Sequence, residues 1–265
     1  MIMVDTSTAS FDLELGELLA LCDALVIQTL PAVLRVEERH ETDSAAIEFR
    51  AAGRSTLAER GVLDAMGNVH PTLKWMMQAA ADPEWMLELR RIDVTQVFRM
   101  CIVADGQHRV LVSRSGERFS FEEIRADDDA KLLVREVTAR IGATAGAPIT
   151  PLRFPSDVLD AALALCVDEV DYTAALFGLG VPEPQGRAVA ATLSHCVGQT
   201  EIVVNNASLT DRAVLAVFDT ERGRVVSLAA PSLGGERWTS IAPGDDYAVV
   251  SAVRQLAENL PGGDR

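Results

Sequence analysis

The feature that most constrains this chain is a short word that occurs twice with the same helix behind it. Gly116-Glu117-Arg118-Phe119 returns as Gly235-Glu236-Arg237-Trp238, an offset of 119 residues (235 less 116). Behind the first copy, apolar side chains fall at Ala130, Leu133, Val134, Val137 and Ile141. Behind the second they fall at Val249, Ala252, Val253, Leu256 and Leu260, at the same offset. Both sets follow i, i+3, i+4, i+7, i+11, the stripe of an amphipathic helix. Each copy reads as a strand feeding a helix with an acidic start, Asp127-Asp128-Asp129 in one and Asp245-Asp246 in the other. Carboxylates there suit the positive end of the helix dipole. A four-residue word alone could be chance, but a word plus a helix in register points to a duplicated half-domain.

Composition then limits what the halves can do. At 265 residues the chain has room for one large domain or two halves, and with 48% hydrophobic but only 5% aromatic residues its core must be mostly aliphatic. The net charge is −15, the only lysines are Lys74 and Lys131, and the arginines form no cluster. Phosphate backbones and anionic lipid surfaces are drawn to such clusters, so nucleic acid and acidic membranes are excluded as partners. Cys22, Cys101, Cys166 and Cys196 are far apart, with no C-x-x-C pair, and each sits among apolar neighbours as a small buried hydrophobe would. Asp5, Asp12 and Glu14 near the N-terminus do not fit a secretion signal. No apolar run reaches the roughly 18 residues of a membrane span. Together these place the protein in a reducing cytoplasm, without membrane insertion.

In chain order, a helix is expected from Asp12 to Ile27, an exposed strand over Arg35 to His40, and a helix from Ala45 to Arg60 with Ile47 and Leu57 inward, stopped by Gly61. Gly67-Asn68 turns the chain, and Pro71 suits the first position of a further helix through Ala80, where its missing N–H costs nothing. From Trp85 the period falls to two. Strands are expected over Trp85 to Leu89, Val97 to Ala104, Arg109 to Ser113 and Glu117 to Phe121, with Asp105-Gly106 as a hairpin signal. Gly142 to Pro151 is rich in Gly, Ala, Thr and Pro and reads as the boundary. It separates an N-terminal half, residues 1–142, from a C-terminal half, residues 151–265, the two making one compact domain. Helices are expected over Phe154 to Val167, Tyr172 to Phe177 and Arg187 to Cys196, with Pro182 and Pro184 as breakers. A second meander follows over Gln199 to Val204, Ala213 to Phe218, Arg224 to Leu228 and Glu236 to Ile241, and the last helix ends at Pro261-Gly262-Gly263. Each half thus reads as helices, four strands and one helix, an α+β protein whose halves could pool their strands into a twisted antiparallel sheet.

No catalytic residue, metal ligand or cofactor site emerges. H-E-x-x-H, G-x-S-x-G, the P-loop and the Rossmann glycine pattern are all absent, and Gly178-Leu179-Gly180 neither follows a strand nor has a third glycine at the required spacing. His195 and Cys196 are adjacent, and neighbours on a helix point about 100° apart, so the reading is Cys196 in the core and His195 at a helix end. His40, His70 and His108 have no metal-binding spacing. The aspartates at 127–129 read as a helix cap, Ser120-x-x-Glu123 as a capping box, and Asn206-Ala207-Ser208 as turn chemistry. Folding alone leaves unexplained the apolar material in loop-like places: the turn Arg91-Ile92-Asp93-Val94, and Leu176, Phe177, Leu179 and Val181 beside helix breakers. Patches of this kind often mark protein-binding surfaces, while for each residue singly packing into the core is an equally good reading.

Four strings, in order, carry a family resemblance: Arg60-Gly61-Val62-Leu63-Asp64 with Gly67, Val69, Pro71 and Trp75; Leu87-Glu88-Leu89-Arg90; Val217-Phe218-Asp219-Thr220 with Gly223-Arg224-Val225; and Gly235-Glu236-Arg237-Trp238 with Pro243-Gly244-Asp245-Asp246 and Leu260-Pro261-Gly262-Gly263. The chain resembles the EspG family, the cytosolic chaperones of mycobacterial type VII (ESX) secretion. The resemblance runs from about Leu13 to the C-terminus. It implies a central twisted antiparallel sheet flanked by two helical bundles, with quasi-two-fold duplicated halves. It also implies a function: binding the apolar tip of the PPE protein in a PE–PPE heterodimer, keeping the pair soluble and steering it to its secretion machinery. Gln28-Thr29-Leu30-Pro31 departs from the family, in which many members carry a tryptophan there. The family implies no catalytic residue or cofactor. Placing the partner surface on Arg91, Ile92, Asp93, Val94, Leu176, Phe177, Leu179 and Val181 extends the resemblance to contact regions that carry no motif. A homodimer of the free chain is left open, as are two other readings: an enzyme with an unrecognised site near His195 and Cys196, and a regulatory module binding a small ligand in a cleft.

Overall fold

The computed structural model describes residues 9–206, 212–232 and 234–261; Ala207 and Ser208 of the expected turn, and Gly262 and Gly263 of the expected helix stop, lie outside them. The described residues form ten strands and eight helices, divided between two compact units, one comprising residues up to Glu88 with Val97–Ala126 and the other Leu89–Gln96 with Asp127 onwards.

The first unit begins with β1 (Ser10–Glu14) and α1 (Leu15–Leu25), followed by a 3-10 turn at Ala32–Leu34, α2 (Asp43–Glu59) and α3 (Pro71–Ala81). It ends in the meander β2 (Trp85–Asp93), β3 (Val97–Asp105), β4 (His108–Ser115) and β5 (Arg118–Ile124), with β2 continuing into the second unit. Strand order is β1-β5-β4-β3-β2. The pairs β1–β5, β5–β4 and β4–β3 are antiparallel, with Phe11 opposite Phe121 and Val103 opposite Val110. Gly106 (φ 55°) and Gly116 (φ 62°) turn two of the hairpins. Their left-handed backbone is one that side chains with a Cβ resist. One core cluster unites Leu18 and Leu21 of α1, Leu57 of α2, Leu73, Met76 and Met77 of α3, and Cys101, Val112, Phe119 and Phe121 of the sheet. Helices α1 and α2 cross where Gly16 meets Gly53, and a Cβ on Gly53 would lie 2.3 Å from the Gly16 carbonyl oxygen.

The second unit takes the end of β2 and continues with α4 (Asp129–Ile141), β6 (Leu152–Pro155), α5 (Ser156–Leu163), α6 (Glu169–Gly178) and α7 (Glu183–Leu193). Then come β7 (Cys196–Asn206), β8 (Val214–Thr220), β9 (Gly223–Pro231), β10 (Arg237–Pro243) and α8 (Asp246–Ala257), in the strand order β2-β7-β8-β9-β10-β6. Helices α4 and α8, the two that follow the repeated word, pack against each other. Arg224 is fully buried and ties this unit together: its guanidinium donates to Asp219 Oδ1 at 2.6 Å and to the carbonyls of Gly142 and Ile141 at 2.7 and 2.8 Å. It thereby caps the C-terminus of α4 from β9.

The halves repeat element for element. One runs strand, three helices, four strands, helix (β1 to α4) and so does the other (β6 to α8). The leading strand pairs antiparallel with the last strand of the meander in both, β1 with β5 and β6 with β10. Gly116 and Gly235 (φ 84°) share the left-handed backbone. Asp128 caps α4 by accepting from Lys131 N (2.9 Å), and Asp245 caps α8 by accepting from Ala248 N (2.8 Å). The fold is α+β, built from duplicated halves on a large antiparallel sheet.

Several elements differ from the sequence reading, each for a local reason. Asp12 to Glu14 belong to β1, and the helix starts only at Leu15, where Glu14 and Glu17 form a capping box. Arg35 to His40 is no strand: the Arg35 carbonyl accepts from Arg114 Nη1, a side chain in place of a ladder partner, and Arg35 pairs locally with Glu37. Ile47 faces solvent, because α2 meets α1 through its glycine face. Ser120 and Glu123 lie in β5, not at a helix start. Leu152 to Pro155 forms β6 ahead of α5, with Pro155 tolerated because β6 is an edge strand. Pro182 and Pro184 open α7 at its N-cap and first turn instead of breaking the chain.

Candidate functional site

Arg91, Ile92 and Asp93 lie in the last residues of β2, so the turn to β3 is shorter than expected and begins at Val94. Asp93 makes this turn: its Oδ1 accepts from Thr95 Oγ1 (2.6 Å), Thr95 N (2.8 Å) and Gln96 N (3.0 Å). These bonds, the Thr95 hydroxyl first, hold its carboxyl below the usual carboxylate range. The Arg91 guanidinium donates to the Arg140 carbonyl at the end of α4. Ile92 is half-buried, and Val94 stands at the tip, 88% exposed.

The second group surrounds the end of α6. Asp168 caps the helix by accepting from Val170 N (2.9 Å) and Asp171 N (3.0 Å), and Asp171 Oδ2 in turn accepts from Val167 N (3.1 Å). At the other end Val181 N donates to the Leu176 carbonyl (3.0 Å) and Gly180 N to that of Phe177 (2.9 Å), with Gly180 left-handed at φ 85°. This reversal turns Leu176 and Val181 into a core cluster with Leu159, Val189, Val225 and Ile241, against which Leu179 packs half-buried. Phe177 points away from it and is 64% exposed. The eight residues therefore separate by role. Val94 and Phe177 offer apolar surface, Leu176 and Val181 anchor the loop in the core, and Arg91 and Asp93 fix backbone. Exposed apolar side chains continue upstream of Phe177 at Val158, Leu165, Val167 and Val170, residues that sequence reasoning missed. The available signal was that apolar positions of α6 fall on two faces, where a one-sided surface helix needs a single stripe.

The His195–Cys196 pair does not form a nucleophile and base. His195 Nδ1 lies 3.0 Å from the Ala191 carbonyl and 3.2 Å from Ser194 Oγ, while Cys196 Sγ donates to the Gly198 carbonyl (3.2 Å). Cys196 is exposed at the start of β7, not in the core as its sequence suggested, because α7 ends at Leu193. The residue is exposed as a whole but its sulfur is partly shielded from water, and that partial desolvation, more than any other influence, raises the thiol, the opposite of what a nucleophilic cysteine needs. Among the described residues no three His, Cys, Asp or Glu side chains are grouped to hold a metal, and no helix is long and apolar enough to cross a membrane. A cleft of ≈ 670 Å³ in the first unit runs between α1 and residues 27–37, with Cys22 and Arg50 in its lining. Its charged groups are already engaged: Arg50 with Asp23 and Glu38, and Arg35 with Glu37. Burial pushes the Cys22 thiol up to about 11, leaving it protonated at neutral pH.

Comparison with known proteins gives this geometry its context. The model of the EspG family matches residues 14–255. ESX-1 secretion-associated protein EspG1 of Mycobacterium tuberculosis (strain H37Rv) is 27% identical over 93% of this chain and 86% of its own length. ESX-3 secretion-associated protein EspG3 of Mycolicibacterium smegmatis is 25% identical over 92% of this chain and 84% of its own. Among solved structures, the type VII secretion system chaperone EspG5 of M. tuberculosis, in complex with the PE25-PPE41 dimer, superposes with a TM-score of 0.75. That match covers 97% of this chain and 99% of EspG5 at 16% identity, and it shows a shared fold.

Proposed function

The chain belongs to the EspG family, and on that premise we propose that it is a cytoplasmic, type VII secretion-associated chaperone. It holds a PE–PPE heterodimer by the apolar tip of the PPE protein, keeps the pair soluble, and directs it to the secretion machinery. The observation that carries this reading is the family match across nearly the whole chain; the EspG5 complex with a PE–PPE dimer supplies the kind of client. The proposed partner surface comprises Arg91, Ile92, Asp93 and Val94 at the β2–β3 turn and Leu176, Phe177, Leu179 and Val181 at the end of α6. Val94 and Phe177 supply its exposed apolar contacts. Work of this kind needs contact area and a reversible, desolvated interface; it involves no bond chemistry and no ATP.

Co-expression with PE–PPE pairs from the same organism tests the reading. A cognate pair is expected to become soluble and to co-elute with the chain as a ternary complex on gel filtration. If no pair changes its solubility or elution, the proposal fails.

A further inference from the structure

Helix α6 carries apolar side chains on two faces. Leu176 enters the core, while Val170, Ala174 and Phe177 face solvent at the spacing i, i+4, i+7, and Val167 lies exposed in the loop that leads into the helix. Val167, Val170 and Phe177 are 85%, 75% and 64% exposed, and Leu165 beside them is 90% exposed. Single exposed apolar residues are ordinary, but a run at helical spacing is a seam built to meet another helix. The charge along this stretch of chain has one sign. Between Ser156 and Pro182 lie Asp157, Asp160, Asp168, Glu169 and Asp171, with no lysine or arginine in that span. Arg187, just beyond it, is paired with Glu183.

We propose that this stripe seats an apolar helical segment of a client protein that carries lysine or arginine on its flanks, and that the surrounding carboxylates select clients by that charge. The inference rests on the chaperone reading and deepens it by stating what a client tip must carry. The helical spacing fits a helix better than an extended strand, and the carboxylates favour cations at the rim of an apolar contact. A second copy of this chain would bring the same acids face to face, on molecules that each carry a net charge of −15. Anionic membranes and nucleic acids meet the same repulsion.

The test uses two synthetic amphipathic helices with one leucine seam, flanked by lysines in one and by glutamates in the other, titrated into the full chain by fluorescence anisotropy. The lysine-flanked peptide should bind, and the glutamate-flanked one should bind about tenfold more weakly or not at all. Val170→Asp should abolish binding. Asp160→Lys with Glu169→Lys should weaken it about fivefold and flatten its dependence on salt, which screens exposed charges beyond about 10 Å at 0.1 M. Both variants should melt within about 2 °C of the parent, since the altered side chains are largely solvated. Equal binding of the two peptides, or parental binding by Val170→Asp, overturns the inference. A PE–PPE pair run in parallel separates the two ideas. A pair held equally by the parent and by Val170→Asp removes the inference but leaves the chaperone function. A bound lysine-flanked peptide with no PE–PPE pair retained supports the inference and removes that function.

Discussion

Gly53→Ala sets two physical effects against each other, and the structure decides between them. On propensity alone alanine should stabilise the interior of α2 by about 1 kcal/mol. The added Cβ, however, would lie 2.3 Å from Gly16 O, 2.4 Å from Gly16 C and 2.7 Å from Glu17 N, all backbone atoms of α1. Non-bonded carbon contacts settle near 3.5 Å, so the two helices must part by about 1 Å. Parting them pulls Leu18, Leu21 and Leu57 out of register in a core where all three are fully buried. It also strains Arg60 Nη1 from its 2.8 Å bonds to both oxygens of Glu17. Overpacking of this kind costs about 3 kcal/mol at the upper end of its usual range, leaving a net loss of about 2 kcal/mol. For a chain of this size that is a fall in Tm of about 4–8 °C. The assay is a melt followed by circular dichroism, with Gly178→Ala as control. A Cβ there meets nothing within 4 Å, so the same substitution at the end of α6 should leave Tm unchanged or raise it slightly. A Gly53→Ala protein melting at or above the parent would refute the close crossing of α1 and α2.

Four further outcomes are expected. Val26 caps α1 in the left-handed region (φ 57°) although β-branched and exposed, so Val26→Gly should relieve about 1–2 kcal/mol of strain against about 0.5–1 kcal/mol of added chain entropy and raise Tm by a degree or two. Arg224→Met strands Asp219 and two carbonyls in the second unit and should cost about 3–5 kcal/mol in denaturant titrations, with faster hydrogen exchange in the last turn of α4. The Lys131 backbone N–H holds the Asp128 carboxyl below its usual range, so this cap stabilises above the ordinary aspartate pKa and is lost as pH falls through the depressed one; the gap in Tm between parent and Asp128→Ala should be open at pH 7 and close in acid. Phe177→Asp should weaken binding of a cognate PE–PPE pair at least about tenfold in a pull-down titration while Tm moves by less than about 2 °C; a large fall in Tm would place Phe177 in the core.

Local signals were strongest where one residue type has one physical use. Gly116 and Gly235 each supply a left-handed turn, Asp128 and Asp245 each cap a helix, and the apolar stripe behind each keeps its period, so the duplication was visible in sequence. The short edge strands were not, since Ser10–Glu14 and Leu152–Pro155 are extended only because β5 and β10 offer them backbone partners. Likewise, Arg35 to His40 reads as a strand in sequence, but the Arg114 guanidinium donates to the Arg35 carbonyl where a neighbouring strand would have to pair.

The candidate surface divides in the same way. Leu176, Phe177, Leu179 and Val181 are alike in hydropathy, and nothing in their order tells an anchor from an exposed contact. The turn at Gly180 and the packing on Val189 and Ile241 made that choice, leaving Phe177 outside. Sequence by itself determined the repeated plan, the caps and the acidic, aliphatic character, because those depend on neighbours a few residues apart. Tertiary structure alone decided which apolar side chains stay exposed, because burial depends on what distant elements bring against them.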